Sequence, residues 1–124
     1  MGAGIMVRCG GEVLILKRAN YKEDKYAGYW NFPGGTADEG ETPYETAVRE
    51  TREEIGVSTP YIKIVDHIGD RIYTMFIGHV PIKFKPIIDH EHTDWRWIPI
   101  SEVSHIENFH PKDKRLFERL NVSF

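Results

Sequence analysis

Glu50, Glu53 and Glu54 are three carboxylates set within one helical turn. Side chains at i, i+3 and i+4 project from one side of a helix. At about 100° per residue, Glu53 and Glu54 fall roughly 60° to one side and 40° to the other of Glu50. Like charges at i, i+4 destabilise a helix by about 0.2–0.5 kcal/mol. The helix dipole also disfavours anions near a C-terminus. Local stability therefore gives no reason for the cluster, whereas a divalent cation does, because hard cations take carboxylate oxygens. The bland alternative is a solvated acidic face with Arg49 and Arg52 as partial counter-charges.

The three glutamates belong to a longer frame. Gly35 is followed by five residues and Glu41, then by seven residues and Arg49-Glu50. One residue later comes Arg52-Glu53-Glu54, and after one more, Gly56-Val57. This frame resembles the signature of the Nudix hydrolases, G-x5-E-x7-R-E-U-x-E-E-x-G-U, where U is bulky and aliphatic. All seven non-U residues match, and Thr51 at the first U position keeps a β-branched shape. Upstream, Gly28-Tyr-Trp-Asn-Phe-Pro-Gly-Gly35 resembles the G-x-W-x-x-P-G-G that commonly enters the motif.

The resemblance implies a single Nudix domain over residues 1–124, with the motif at 35–57. It implies an α/β fold, an α/β/α sandwich around a mixed central sheet. It also implies hydrolysis of a nucleoside diphosphate linked to a group X, with Mg²⁺ or Mn²⁺ as cofactor. Carried over by position, Glu50 and Glu54 are metal ligands, and Glu53 is a further ligand or the catalytic base. The carbonyl of Gly34 completes the metal shell. Glu41 and Arg49 form a structural ion pair, while Gly35 serves a tight loop and Gly56 the helix stop. A second acidic segment, Asp89-His-Glu-His-Thr-Asp94 before Trp95-Arg-Trp97, resembles the family's E-H-x-E-x-x-W. Glu91 is its candidate ligand or base. His90 and His92 suggest a transition metal, but neither a cysteine nor a third histidine stands in register.

Arg18, Tyr73 and Asp113 are the candidate substrate-binding residues. Phe109-His-Pro-Lys-Asp113 resembles the stretch where mutator-type triphosphatases read a purine from a helix start. An ionised Asp only accepts hydrogen bonds, which suits the N1–H and N2–H donors of guanine. The plainer role of Asp113, and the one its place favours, is a helix cap or first-turn aspartate. Tyr73 lies near where a tyrosine marks many dinucleoside-polyphosphate hydrolases. Tyr26, Tyr29, Trp30, Phe32 and Tyr73 are each either base-stacking or packing residues. A (d)NTP is the leading substrate class, yielding a nucleoside monophosphate and pyrophosphate. ADP-ribose and dinucleoside polyphosphates are alternatives. A non-catalytic nucleotide-sensing module would show eroded carboxylates, and these are intact.

The elements that must hold these groups are legible in outline. Thr42 as N-cap, Pro43 at the first position and Glu45 three residues after the cap predict a helix start, and Gly56 its end. Tyr44, Ala47, Val48, Thr51 and Ile55 form its apolar arc. Ile5–Cys9 and Glu12–Arg18 around Gly10-Gly11 predict a hairpin, as do Tyr61–Ile68 and Arg71–Val80 around Gly69-Asp70. Residues 20–29 read as a loop, Asp94–Ile100 as a last strand, and His110-Pro111 as the start of a C-terminal helix with Leu116, Phe117 and Leu120 as its stripe.

The chain has 124 residues, 40 % hydrophobic and 28 % charged, which suits one ordinary domain with one sizeable core. Its lone Cys9 forms no internal disulfide, and with no apolar span or leader pattern a cytoplasmic setting is expected. The net charge of -3 argues against a stable nucleic-acid complex. A small nucleotide is the expected partner, and a homodimer is compatible with the family.

Overall fold

Gly10 turns the chain at a φ of 58°, a value a glycine takes without strain. It joins β1 (Gly2–Cys9) to β2 (Glu12–Arg18). The computed structural model describes residues 1–56 and 61–121, so Val57 of the motif lies outside the described residues. The order continues through β3 (Trp30–Asn31), β4 (Gly34–Thr36), α1 (Pro43–Ile55), β5 (Lys63–Gly69), β6 (Tyr73–His79) and β7 (His92–Pro99). A 3₁₀ turn (Ile100–His105) and α2 (Pro111–Asn121) end it.

The first hairpin splays almost at once. β1 and β2 pair only at Arg8–Val13 and Cys9–Glu12. Beyond that point β1 runs parallel to β6, from Gly2–Tyr73 to Arg8–His79, and β2 runs antiparallel to β7. β5 and β6 form the second hairpin. The sheet is therefore mixed.

Successive residues of a strand face opposite sides. Ile5, Val7, Leu14 and Leu16 pack with Ala47 and Ile55 of α1. Met6, Val13, Ile15, Met75 and Ile77 pack with Leu116, Phe117 and Leu120 of α2. Covering both faces is why β1 and β2 are apolar almost without alternation. Each fully buried aliphatic side chain contributes about 1.5–3 kcal/mol.

Three expectations need correction. Tyr44 is 53 % exposed rather than part of the buried arc. It stands in the first turn of α1, where its ring meets the edge of Phe76 at 5.8 Å. Thr46 and Glu54 take places on the buried side instead. The last strand starts at His92, because β7 pairs back as far as Arg18, and Ile100 begins the 3₁₀ turn. Asp113 stands in the first turn of α2, one of its two expected places, but it does not cap the helix: its carboxylate accepts from the backbone N–H of Phe32 at 3.0 Å.

Candidate active site

The N-terminus of α1 is fixed by a complete capping box. Glu45 N–H donates to Thr42 Oγ1 at 3.1 Å, and Thr42 N–H donates to Glu45 Oε1 at 3.0 Å. At the other end Gly56, at φ 102°, donates to the Arg52 carbonyl at 2.9 Å. Between these stops Arg49 ties the preceding loop to the helix. Its Nε and Nη2 donate to the two oxygens of Glu41 at 2.7 and 2.9 Å, and Nη2 also donates to the Thr36 carbonyl at 3.0 Å. With Arg49, the Asp38 N–H and the Thr46 hydroxyl all donating to it, Glu41 is held down at about 2.

The three glutamates diverge. Glu53 is 55 % exposed in its side chain and lies 3.3 Å from Arg49 Nη1, outside the cleft described below. Glu50 accepts from Arg49 Nη1 at 2.8 Å. Its carboxylate lies over Gly35, where a Cβ would meet Glu50 Oε2 at 2.5 Å. A side chain at this position would displace that carboxylate. Glu54 is 4 % exposed and accepts from the Gly34 N–H at 2.6 Å. The structure thus ties the N–H of Gly34 to the acidic group. Gly34 itself sits so close to β1 that a Cβ would lie 2.7 Å from Gly4 Cα. Burial pushes Glu54 up to about 9; the Gly34 N–H opposes this, and Asp89, Glu50 and Glu91 add to it. Burial likewise raises Glu50, against the pull of Arg49.

These groups open into a cleft of about 1100 Å³. Glu91 lies at its rim, exposed, with its carbonyl accepting from Ala19 N–H at 2.7 Å. His92 is buried against Glu54. Its Nδ1 is 2.8 Å from Asp89 Oδ1 and its Nε2 3.7 Å from Glu54 Oε2. Ligand atoms of Glu54, Asp89 and His92 all lie within 4.8 Å of one another. Sequence reasoning named Asp89 and His92 in one segment but did not join them to Glu54, because that contact is made only when the start of β7 meets α1.

Asp113 marks the far side of the cleft. It is 2 % exposed, and its Oδ1 is buried with no hydrogen-bond partner. Burial raises its carboxyl, opposed by Lys112 and the Phe32 N–H. Lys112 Nζ is 3.9 Å from Asp113 Oδ1 and 3.5 Å from the centre of the Tyr73 ring. Tyr73 has one ring face under that ammonium and is otherwise part of the core, as are Trp30 and Phe32. Arg18 is held by Asp24, with Nε and Nη2 each 2.8 Å from Oδ2. Tyr26 instead packs on His110, with ring centroids 4.3 Å apart. Burial, with Lys112 and Arg18 nearby, lowers His110 to about 4, so the ring is neutral at pH 7. The loop 20–29 also crosses to the acidic segment, where Tyr21 OH donates to the His90 carbonyl at 2.8 Å.

A mixed sheet between helices, with a cleft lined at one end by glutamates of a capped helix, defines an α/β protein with a candidate cation-binding site. The NUDIX domain family profile matches residues 1–120, and the chain belongs to that family. A Mycobacterium tuberculosis protein with the provisional name 8-oxo-dGTP diphosphatase 3 is 29 % identical over 121 residues, covering 90 % of this chain and 54 % of that protein. The chain thus spans about half the length of that curated relative. Among solved structures, a Nudix hydrolase from M. smegmatis, RenU, superposes with a TM-score of 0.81 at 24 % identity, covering 98 % of this chain and 83 % of the other. A C. elegans Ap4A hydrolase superposes with a TM-score of 0.77 at 20 % identity, covering 99 % and 97 %. These two likenesses concern the fold.

Proposed function

We propose that this chain is a divalent-metal-dependent pyrophosphohydrolase. Its substrate is a guanine nucleoside triphosphate, and its products are the monophosphate and pyrophosphate. One observation carries the reading: Glu50, Glu54 and Asp113 line the same cleft. A phosphate chain and a base therefore have separate docking points in one space.

The residues present fit a cation. Glu54 is held in a buried place where its charged form is disfavoured, and a cation removes that penalty. Glu50 and Glu54 would hold it, with Gly34 and Glu91 beside them. When bound, the ion neutralises phosphate oxygens and lowers the pKa of a coordinated water. Glu91, at the rim of the cleft, is better placed than Glu53 to accept the water's proton, because Glu53 is turned outward onto Arg49. Arg49 holds Glu50 in position without entering the cleft lining.

At the other end, Asp113 offers an acceptor and Lys112 a donor side by side. Guanine presents the complement, O6 beside N1–H and N2–H. Its donors favour the ionised carboxylate against the cost of burial. The M. tuberculosis relative's name points to the same base class.

The test is a panel of dNTPs, 8-oxo-dGTP, ADP-ribose, dinucleoside polyphosphates and capped RNA, with Mg²⁺ or Mn²⁺ and with EDTA, ranked by kcat/KM. Guanine triphosphates should lead, only with metal, releasing pyrophosphate. Asp113→Asn keeps an acceptor for Phe32 and turns a donor into the cleft. It should lower kcat/KM for the guanine substrate by about 10- to 100-fold, as expected for a buried unpaired polar contact of about 1–3 kcal/mol. Equal turnover by Asp113→Asn would remove the base assignment, and no metal-dependent turnover of any substrate would remove the enzyme reading.

A further inference from the structure

Oxygen ligands alone do not account for the cluster behind Glu54. His92 opens β7 with its side chain 2 % exposed, and Glu54 beside it is 5 % exposed in its side chain. His92 Nδ1 lies 2.8 Å from Asp89 Oδ1. A neutral imidazole satisfies that carboxylate only by carrying its proton on Nδ1. The lone pair is then on Nε2, which faces Glu54 Oε2 at 3.7 Å. That distance is too long for a hydrogen bond. Together with Asp89 the two residues form a group whose ligand atoms all lie within 4.8 Å of one another, close enough to share one ion. A carboxylate behind the far nitrogen is also the usual way a metal-bound imidazole is oriented.

We propose that His92 Nε2 is a ligand of the cation that Glu54 holds, with Asp89 setting its tautomer, so that the site takes Mn²⁺, Co²⁺ or Zn²⁺ in preference to Mg²⁺. The inference rests on the metal-dependent reading above and adds a nitrogen donor to it. Mg²⁺ keeps to oxygen ligands and water, whereas imidazole suits the later first-row ions. His90 lines the same cleft from an exposed position and serves as the control.

Mn²⁺ binding to the full chain is read by electron paramagnetic resonance, and pulsed measurements then detect nitrogen bonded to the ion. Wild type should show ¹⁴N modulation, replaced by the ¹⁵N pattern in protein labelled with ¹⁵N-histidine. His92→Gln should abolish it and weaken Mn²⁺ binding about 10- to 100-fold, the range seen when a supporting group of a metal site is lost, while His90→Gln keeps it. The labelled wild type decides the matter even if His92→Gln fails to fold. Bound Mn²⁺ without histidine modulation, or modulation lost in His90→Gln alone, overturns the assignment and leaves the hydrolase reading standing. Absence of Mn²⁺ binding together with absence of turnover overturns both.

Discussion

Glu54 is where burial and charge oppose each other most strongly. Its carboxyl is pushed from an ordinary 4.5 up to about 9, chiefly by burial. A group raised on folding contributes stability that is present below its unfolded value and lost as pH rises through the folded one. In EDTA, the Tm of the wild type should therefore fall between about pH 4.5 and pH 9. Glu54→Gln should flatten that slope, and in the variant Mg²⁺ or Mn²⁺ should no longer raise Tm at pH 8. Calorimetry across pH reads both, and an unchanged slope in the variant would assign the effect elsewhere. In the sequence only the family resemblance sets Glu50 and Glu54 apart from Glu53, because a wheel of about 100° per residue says little about which side the sheet will cover. The fold turns Glu54 inward and leaves Glu53 on Arg49. Asp113 was legible as a candidate, but the orientation of its carboxylate depends on the N–H of Phe32, far away in the chain.

At the scale of elements, the helices were the most readable parts because their stops are local. Thr42, Pro43, Glu45 and Gly56 bound α1 through contacts within four residues. Thr42→Ala should cost about 0.5–2 kcal/mol in denaturant unfolding, the usual value of an N-cap. β3 and β4 were not readable. They are two and three residues long, in a stretch holding Pro33, Gly34 and Gly35, and exist because β2 and β1 offer them backbone partners. The loop before α1 depends on Glu41. Its carboxyl is lowered from 4.5 to about 2, first by Arg49 and then by the Asp38 N–H. Stability from such a group is present above its ordinary value and lost as pH falls through the folded one. The acid arm of wild-type stability between about pH 4.5 and pH 2 should thus be steeper than that of Glu41→Gln. Urea midpoints across that window measure the difference, and parallel curves would dismiss the ion pair as its source.

Over the whole molecule, the family resemblance implied a sheet between helices, and the two clusters on either side of it show how the apolar β1 and β2 are covered on both faces. What pattern reading did not supply was the splaying of the first hairpin, because partners of β1 and β2 lie in β6 and β7. Among the described residues, no helix is long and apolar enough to cross a membrane.

The pairing of β4 on β1 has a consequence in time. β1 reaches its parallel partner β6 only by closing a long stretch of chain, a slow step compared with forming α1 or the β5–β6 hairpin. Gly34 and Gly35, against which Glu54 and Glu50 rest, take their places once β4 has joined that assembly. A divalent ion would then find its ligands gathered only after the rate-limiting barrier has been crossed. It should act as a brake on unfolding and not as a nucleus for folding. In a chevron plot, saturating Mg²⁺ or Mn²⁺ should lower the unfolding limb and leave the refolding limb where it stands in EDTA; movement of the refolding limb instead would mean that the acidic site gathers early.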